Sequence, residues 1–291
     1  MPGLVKQCIV FLLVLFSSNL DIIAQVVKPN FNIVRGTNTY TVGKVVSMAQ
    51  DKYGYMWFAD QTNDCLVRYD GYRMKIFHND PADSNSVGTK NFESIAADPS
   101  GNIWIGVPRG VDKFDAATDG FVHYRYSNGE KNKGYNVILV DHSGIVWIGT
   151  GDGLDRLDPA TGKFIHYVHS DNDIFSLSSN IVRSLYEDKE GVLWVGTGIV
   201  FDTKTKEGGL NKFNRETGKF TRYLHDPNDP HSLISNKVRA IFEDSKGNFW
   251  VGTDGDGLHL MNRQNGTFER LTYDPLHPEK LSRPREKKKW Y

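Results

Sequence analysis

The chain has 291 residues, and its 35 Lys and Arg residues balance its 35 Asp and Glu residues. This neutrality excludes the broad positive field that attracts nucleic acid, so no nucleic-acid partner is expected. Hydrophobic residues at 39% and charged residues at 24% are typical of a folded chain and exclude an intrinsically disordered one. An aromatic share of 12%, with 28 Gly and only 2 Cys, indicates a turn-rich β protein without a disulfide framework.

The first 24 residues have the layout of a secretory signal peptide. Lys6 precedes an apolar run at residues 8–16, and a polar stretch then leads to Ala24, after which cleavage is expected. The run is too short to cross a bilayer. Cleavage would remove Cys8 and leave Cys65 alone, so no internal disulfide is expected. These features predict a periplasmic or secreted protein with no membrane span after signal removal.

A repeated phrase built around tryptophan fills most of the remaining chain. It reads MAQDKYGYMWFAD, IAADPSGNIWIGV, ILVDHSGIVWIGT, LYEDKEGVLWVGT and IFEDSKGNFWVGT. The five tryptophans are Trp57, Trp104, Trp147, Trp194 and Trp250. Each copy predicts four short strands, because runs rich in β-branched and aromatic residues alternate with Gly, Asp and Asn turns. In the fourth copy these strands are predicted at 182–186, 192–196, 210–214 and 220–224.

Four-stranded repeats at this spacing predict an all-β fold, a β-propeller of about five four-stranded antiparallel blades. The blades are expected at about 44–79, 92–127, 135–168, 181–224 and 237–272, within a propeller spanning 44–273. Residues 25–43 are expected to hold a lone closing strand at 31–34, and residues 274–291 a truncated link and a basic tail. The repeated tryptophans are expected to pack between adjacent blades, where a large apolar side chain is needed.

The tryptophan phrase and the downstream TGKF phrase resemble the two-component regulator propeller repeat, most strongly at 137–167, 182–223 and 238–271. The resemblance implies the extracytoplasmic sensor region of a hybrid two-component system, as found in gut Bacteroidetes. It further implies oligosaccharide ligands, propellers of about seven blades, and a histidine kinase and dimerisation in a full-length sensor. This chain has no kinase motif, and its repeat pattern breaks at Arg283. We therefore expect a truncated sensor whose five blades form an open or strained ring.

The sequence offers no catalytic motif, so we expect no enzyme activity, no cofactor and no metal site. Asp254 and Asp256 in TDGDGL resemble the start of a calcium loop, but the later oxygen ligands do not follow.

The candidate ligand-binding residues lie on the first strands and on the loops after the second strands. They are polar and differ from blade to blade, which suits an asymmetric ligand such as a sugar chain. The candidates are Arg109, Asp152, Arg183, Arg239, Asp254 and Asp256. Arg183 and Arg239 share one phase with Glu93 and Asn136, and they suit the sulfate or carboxylate groups of an acidic glycan. The alternative is that both arginines bridge to acidic groups of neighbouring blades.

Two other functions stay open at this stage. The phrases at 101–104 and 247–250 also resemble repeats of propeller lyases similar to virginiamycin B lyase, although no acid–base pair stands out. A protein-interaction propeller is the other alternative, and the insertion at 198–208 would then supply the contact.

Overall fold

The computed structural model describes residues 40–126, 135–199, 207–254, 257–271 and 276. The predicted signal peptide, the predicted strand at 31–34 and the basic tail lie outside these residues. None of the residues that the structure describes belongs to a helix long and apolar enough to span a bilayer.

Twenty strands and no helix occur in the described ranges, which confirms the predicted all-β class. The strands form five antiparallel sheets of four consecutive strands each, named here blades 1 to 5. Blade 1 comprises β1 (Val45–Gln50), β2 (Met56–Asp60), β3 (Cys65–Tyr69) and β4 (Met74–Phe77). Blade 2 comprises β5 (Ile95–Ala97), β6 (Ile103–Val107), β7 (Gly110–Asp115) and β8 (Gly120–Arg125). Blade 3 comprises β9 (Tyr135–Val140), β10 (Val146–Thr150), β11 (Leu154–Asp158) and β12 (Lys163–Tyr167). Blade 4 comprises β13 (Val182–Glu187), β14 (Leu193–Thr197), β15 (Gly209–Asn214) and β16 (Lys219–Tyr223). Blade 5 comprises β17 (Val238–Glu243), β18 (Phe249–Thr253), β19 (Gly257–Asn262) and β20 (Thr267–Leu271).

The blades pack against one another in chain order. Their first strands touch successively, β1 with β5, β5 with β9, β9 with β13 and β13 with β17, so these strands form the inner wall. Within the described ranges, β17 makes no contact of comparable extent with β1. The five blades therefore form a propeller whose ring is not closed, as the repeats predict.

A tryptophan is buried at each of the four junctions between blades. Trp57 packs 4.6 Å from Phe114 of blade 2, and Trp194 packs 4.8 Å from Phe249 of blade 5, measured between ring centroids. The tryptophans at these four junctions, Trp57, Trp104, Trp147 and Trp194, are all at most 2% exposed. Trp250 lies on the side of blade 5 that no described blade covers, and it is only half-buried.

An aspartate six residues earlier holds each tryptophan. In blade 3, one oxygen of Asp141 accepts the backbone N–H groups of Ser143 and Ile145, both at 3.0 Å. The other oxygen accepts the indole N–H of Trp147 at 2.8 Å. The same indole bond recurs at Asp51, Asp98, Asp188 and Asp244. The constant six-residue spacing of aspartate and tryptophan in the repeat therefore reflects a hydrogen-bonded turn. This turn fixes the tryptophan side chain at the junction.

The glycine after the tryptophan makes room for the next blade. A Cβ atom at Gly149 would lie 2.5 Å from Val182 Cγ1, and one at Gly196 would lie 2.7 Å from Val238 Cγ1. Such distances are shorter than any ordinary carbon contact, so only glycine lets the first strand of the following blade approach this closely.

Two of the junctions also carry an arginine clamp, in which an arginine of one blade binds carboxylates of two blades. Arg215 donates to Asp141 Oδ2 of blade 3 and to Glu187 Oε1 of its own blade, both at 2.7 Å. Arg263 donates to Asp188 Oδ2 of blade 4 at 2.9 Å and to Glu243 Oε1 of its own blade at 3.0 Å. Burial acts to raise the pKa of Glu243, but the Lys189 N–H and the Arg263 guanidinium outweigh it and leave that pKa below its ordinary value. The clamp therefore favours the charged form of Glu243 inside its junction.

Candidate functional site

Four of the five inner strands, β1, β9, β13 and β17, carry a β-bulge near their first residue. In blade 1, Val45 pairs with Asp60 and Ser47 pairs with Ala59, so Val46 is the extra residue. The same register shift leaves Arg183 as the extra residue in β13 and Arg239 in β17. In β9 the shift falls at Asn136, between the paired residues 135 and 137. A bulge turns its extra side chain away from the regular alternation of the strand.

Three of the bulged residues, Val46, Arg183 and Arg239, meet in a cavity at the inner wall. This cavity has a volume of about 260 Å³, and it is lined by Val46, Gln61, Glu93, Arg183 and Arg239. The lining residues come from blades 1, 2, 4 and 5, so side chains distant in sequence converge there. Two arginines and one glutamate give the cavity a mixed, mainly cationic wall.

The charges in this cavity are partly satisfied by one another. Arg239 Nη1 lies 3.6 Å from Asp254 Oδ1 at the end of the neighbouring strand of the same blade. Desolvation raises the pKa of the Glu93 carboxyl above its ordinary value, and the positive charge of Arg183 opposes part of that rise. The burial of Glu93 therefore disfavours the charged form of its carboxyl group.

The remaining predicted site residues lie elsewhere. Arg109 is in the β6–β7 turn with a left-handed φ of 70°, and its carbonyl accepts the Tyr126 N–H at 3.1 Å. Asp152 is in the β10–β11 turn, where its backbone N–H donates to Thr150 Oγ1 at 3.0 Å. Neither residue lines the cavity. Asp256 lies outside the described residues, and no cluster of His, Cys, Asp or Glu suited to a metal occurs among those described.

Sequence reasoning missed how the links between blades are anchored. Arg222 in β16 donates from Nε to the carbonyl of Ser176 at 2.7 Å, and Arg270 in β20 donates in the same way to Ser232 at 2.9 Å. In each link the serine hydroxyl also donates back to the carbonyl of a residue six positions earlier. The signal that could have revealed this anchoring is the recurrence of Ser176 and Ser232 in similar polar loops.

Comparison with known families bears on these repeats directly. The sequence model of the family described as two component regulator propeller matches residues 176–198 and 232–255. Both segments hold a first strand, the aspartate turn and the tryptophan strand of a blade. Two of the five repeats, those of blades 4 and 5, therefore match the two-component regulator propeller family.

One solved structure of similar fold is the extracellular domain of another protein. The extracellular domain of a hybrid two-component system from B. thetaiotaomicron superposes with a TM-score of 0.62 and 27% identity, over 79% of this chain and 30% of that one. A 67-residue segment is 31% identical to histidine kinase P4 of Formosa agariphila, covering 23% of this chain and 4% of the kinase. The chain thus spans less than a third of the length of each of these two relatives.

Two more distant structures share the fold alone. The PorZ surface component of the type-IX secretion system of Porphyromonas gingivalis has a TM-score of 0.58 at 14% identity, over 79% of this chain and 34% of that one. Virginiamycin B lyase from Staphylococcus aureus has a TM-score of 0.56 at 11% identity, over 77% and 68%. Identity this low carries no activity from either protein to this chain.

Proposed function

We propose that this chain is a non-catalytic ligand-sensing propeller of a two-component signalling system, that it acts in the periplasm or outside the cell, and that it binds an anionic oligosaccharide. The observation that carries the proposal is the convergence of Arg183 and Arg239 in the inner cavity. The kinship with extracellular domains of two-component systems supports the location and the signalling role.

The chemistry of the cavity suits a sulfate or carboxylate group on a sugar. A guanidinium presents parallel N–H donors that match the oxygens of such groups, and two guanidinium groups double that preference. The volume of about 260 Å³ lies just under the range of roughly 300–1,000 Å³ common for ligand pockets. It therefore accommodates one charged unit, while the rest of the sugar chain lies along the loops outside.

The test is calorimetric titration of sulfated and uronate-containing oligosaccharides into the chain and into the double variant Arg183→Ala with Arg239→Ala. We expect at least one acidic oligosaccharide to bind and the double variant to lose 10-fold or more in affinity. The matched control is the double variant Arg73→Ala with Lys246→Ala. It removes two positive charges from turns at the ends of the blades that lie away from the cavity, and we expect it to leave affinity unchanged. Equal binding by both double variants would contradict the proposed site.

A further inference from the structure

The position directly after the second strand of a blade lies next to the bulge of that blade's first strand. Gln61 takes this position in blade 1, and Asp254 takes it in blade 5. Their backbone N–H groups donate at 2.9 Å to equivalent carbonyls, those of Lys44 and Lys237. The two side chains therefore start from matching points on the inner wall.

The bulge residue of the same blade determines what this side chain can bind. In blade 5 the bulge residue is Arg239, and its Nη1 lies 3.6 Å from Asp254 Oδ1. In blade 1 the bulge residue is Val46, whose apolar side chain neither donates nor accepts a hydrogen bond. Gln61 thus has no polar bulge partner in its own blade, although it lines the same cavity as Arg239.

Lys44 determines which end of the Gln61 amide is left for a ligand. The Lys44 ammonium group donates to Gln61 Oε1 at 2.9 Å. Because an ammonium group has donors only, the amide oxygen is the end that faces Lys44, and the amide nitrogen is the end that remains. Among the residues that the structure describes, Gln61 Nε2 donates to none. Gln61 therefore offers a neutral N–H donor beside the cavity.

The donors around the cavity come from three blades. Gln61, Arg183 and Arg239 carry them, and Val46 and Glu93 complete the lining. A carboxylate has two oxygens, and two guanidinium groups are enough to satisfy both. A sulfate ester has three terminal oxygens, so one of them is left for a third donor. The combination of two cations and one neutral donor therefore fits a sulfate ester better than a carboxylate.

We propose that Gln61 is the residue through which the inner cavity selects a sulfate ester over a carboxylate. This inference rests on the proposed function, because it names the acidic group that the same cavity binds. Gln61 Nε2 donates to one terminal oxygen of the sulfate, and the two arginines bind the other two. Lys44 is a positioning residue, since it keeps the amide oxygen of Gln61 turned away from the sulfate oxygens.

The experiment compares methyl glucoside 6-sulfate with methyl glucuronide, which carry a sulfate ester or a carboxylate at the same end of the same sugar. Binding of each to the full chain is followed by NMR titration. We expect the sulfate to bind about tenfold more tightly, the effect of one hydrogen bond to a charged group. Gln61→Met keeps the length of the side chain and removes the donor. It should weaken sulfate binding about tenfold and change glucuronide binding less than about twofold.

Two further variants complete the design. Gln264→Met is the matched control, because it makes the same replacement in the exposed β19–β20 turn, and we expect both affinities to stay unchanged. Lys44→Met lets the Gln61 amide turn its oxygen toward the ligand. The lost charge affects both sugars alike, so we expect the ratio of the two affinities to fall to about threefold.

Equal affinity of the unaltered chain for the two sugars would overturn the role of Gln61, and so would an unchanged ratio in Gln61→Met. A parallel loss of both affinities in Gln61→Met counts as an unchanged ratio. In these cases the sensing proposal stands if Arg183→Ala with Arg239→Ala still abolishes binding. Absence of binding of both sugars and of every acidic oligosaccharide by the unaltered chain would overturn both proposals.

Discussion

Single residues in the inner wall differ chemically from blade to blade. The bulge position is Val46 in blade 1, Arg183 in blade 4 and Arg239 in blade 5, whereas the aspartate and tryptophan of the same blades do not change. A polar side chain at a bulge faces the cavity and makes no contribution to the regular ladder. The charge of the cavity is therefore set by a few residues on a constant frame.

Glu93 is the residue whose replacement tests the charge of the cavity most simply. Glu93→Gln removes the negative charge beside the two arginines, so we expect sulfated oligosaccharide to bind more tightly, on the order of two- to fivefold at pH 7. The pKa of Glu93 is raised, so in the unaltered chain affinity increases as the pH falls through that raised pKa. Calorimetry over a series of decreasing pH values should show this increase and should show a flat profile for Glu93→Gln. A decrease in affinity in the variant would contradict the assigned role.

At the scale of the element, each blade is a locally determined unit. The strands predicted for the fourth copy at 182–186, 192–196, 210–214 and 220–224 are observed to within one residue of each end. Gly, Asp and Asn set the turns, and these signals depend on neighbours in the chain alone. The bulges were not predicted, because they depend on how one strand pairs with another.

The glycine two residues after the repeated tryptophan provides a prediction at this scale. Gly149→Ala places a Cβ against Val137 and Val182, at 2.6 and 2.5 Å from their Cγ1 atoms, so the junction must move apart. We expect a loss of about 1–3 kcal/mol in the free energy of unfolding, measured by urea denaturation.

The matched control for this prediction is Gly252→Ala in blade 5. Its Cβ would lie 3.4 Å from the Ala240 Cβ, an ordinary contact, because no described blade packs against that side. We expect a change within about 0.5 kcal/mol. Equal losses in the two variants would show that the glycine serves the strand itself and not the junction.

At the scale of the whole molecule, the open ring leaves one tryptophan in a different environment. Four tryptophans are enclosed at junctions, and Trp250 is half-buried on the last described sheet. The sequence predicted the shared position of all five, but burial depends on whether a neighbouring blade is present. The number of blades that meet, and not the repeat itself, decides which copy is exposed.

Fluorescence quenching measures this difference. In a Trp290→Phe background, which removes the tryptophan outside the described residues, acrylamide should quench one component strongly. Adding Trp250→Phe should abolish that component and leave thermal stability nearly unchanged. Adding Trp147→Phe instead should leave the quenched component in place and lower stability, because that ring fills a junction core. Retention of strong quenching after Trp250→Phe would contradict an open outer face.

The bulge also affects how this protein can change over evolutionary time. An extra residue in a strand is not needed to complete the ladder, and Arg183 and Arg239 are absent from the buried clusters that join the blades, whereas Val46 packs at the edge of one. Substitution at such a position changes the free energy of unfolding little. Selection for stability therefore does not remove substitutions that would favour a new ligand. Relatives with the same blades should therefore differ most at the positions of Val46, Glu93, Arg183 and Arg239. Under the proposed function, each combination of these side chains would select a different sugar while the blades stay the same.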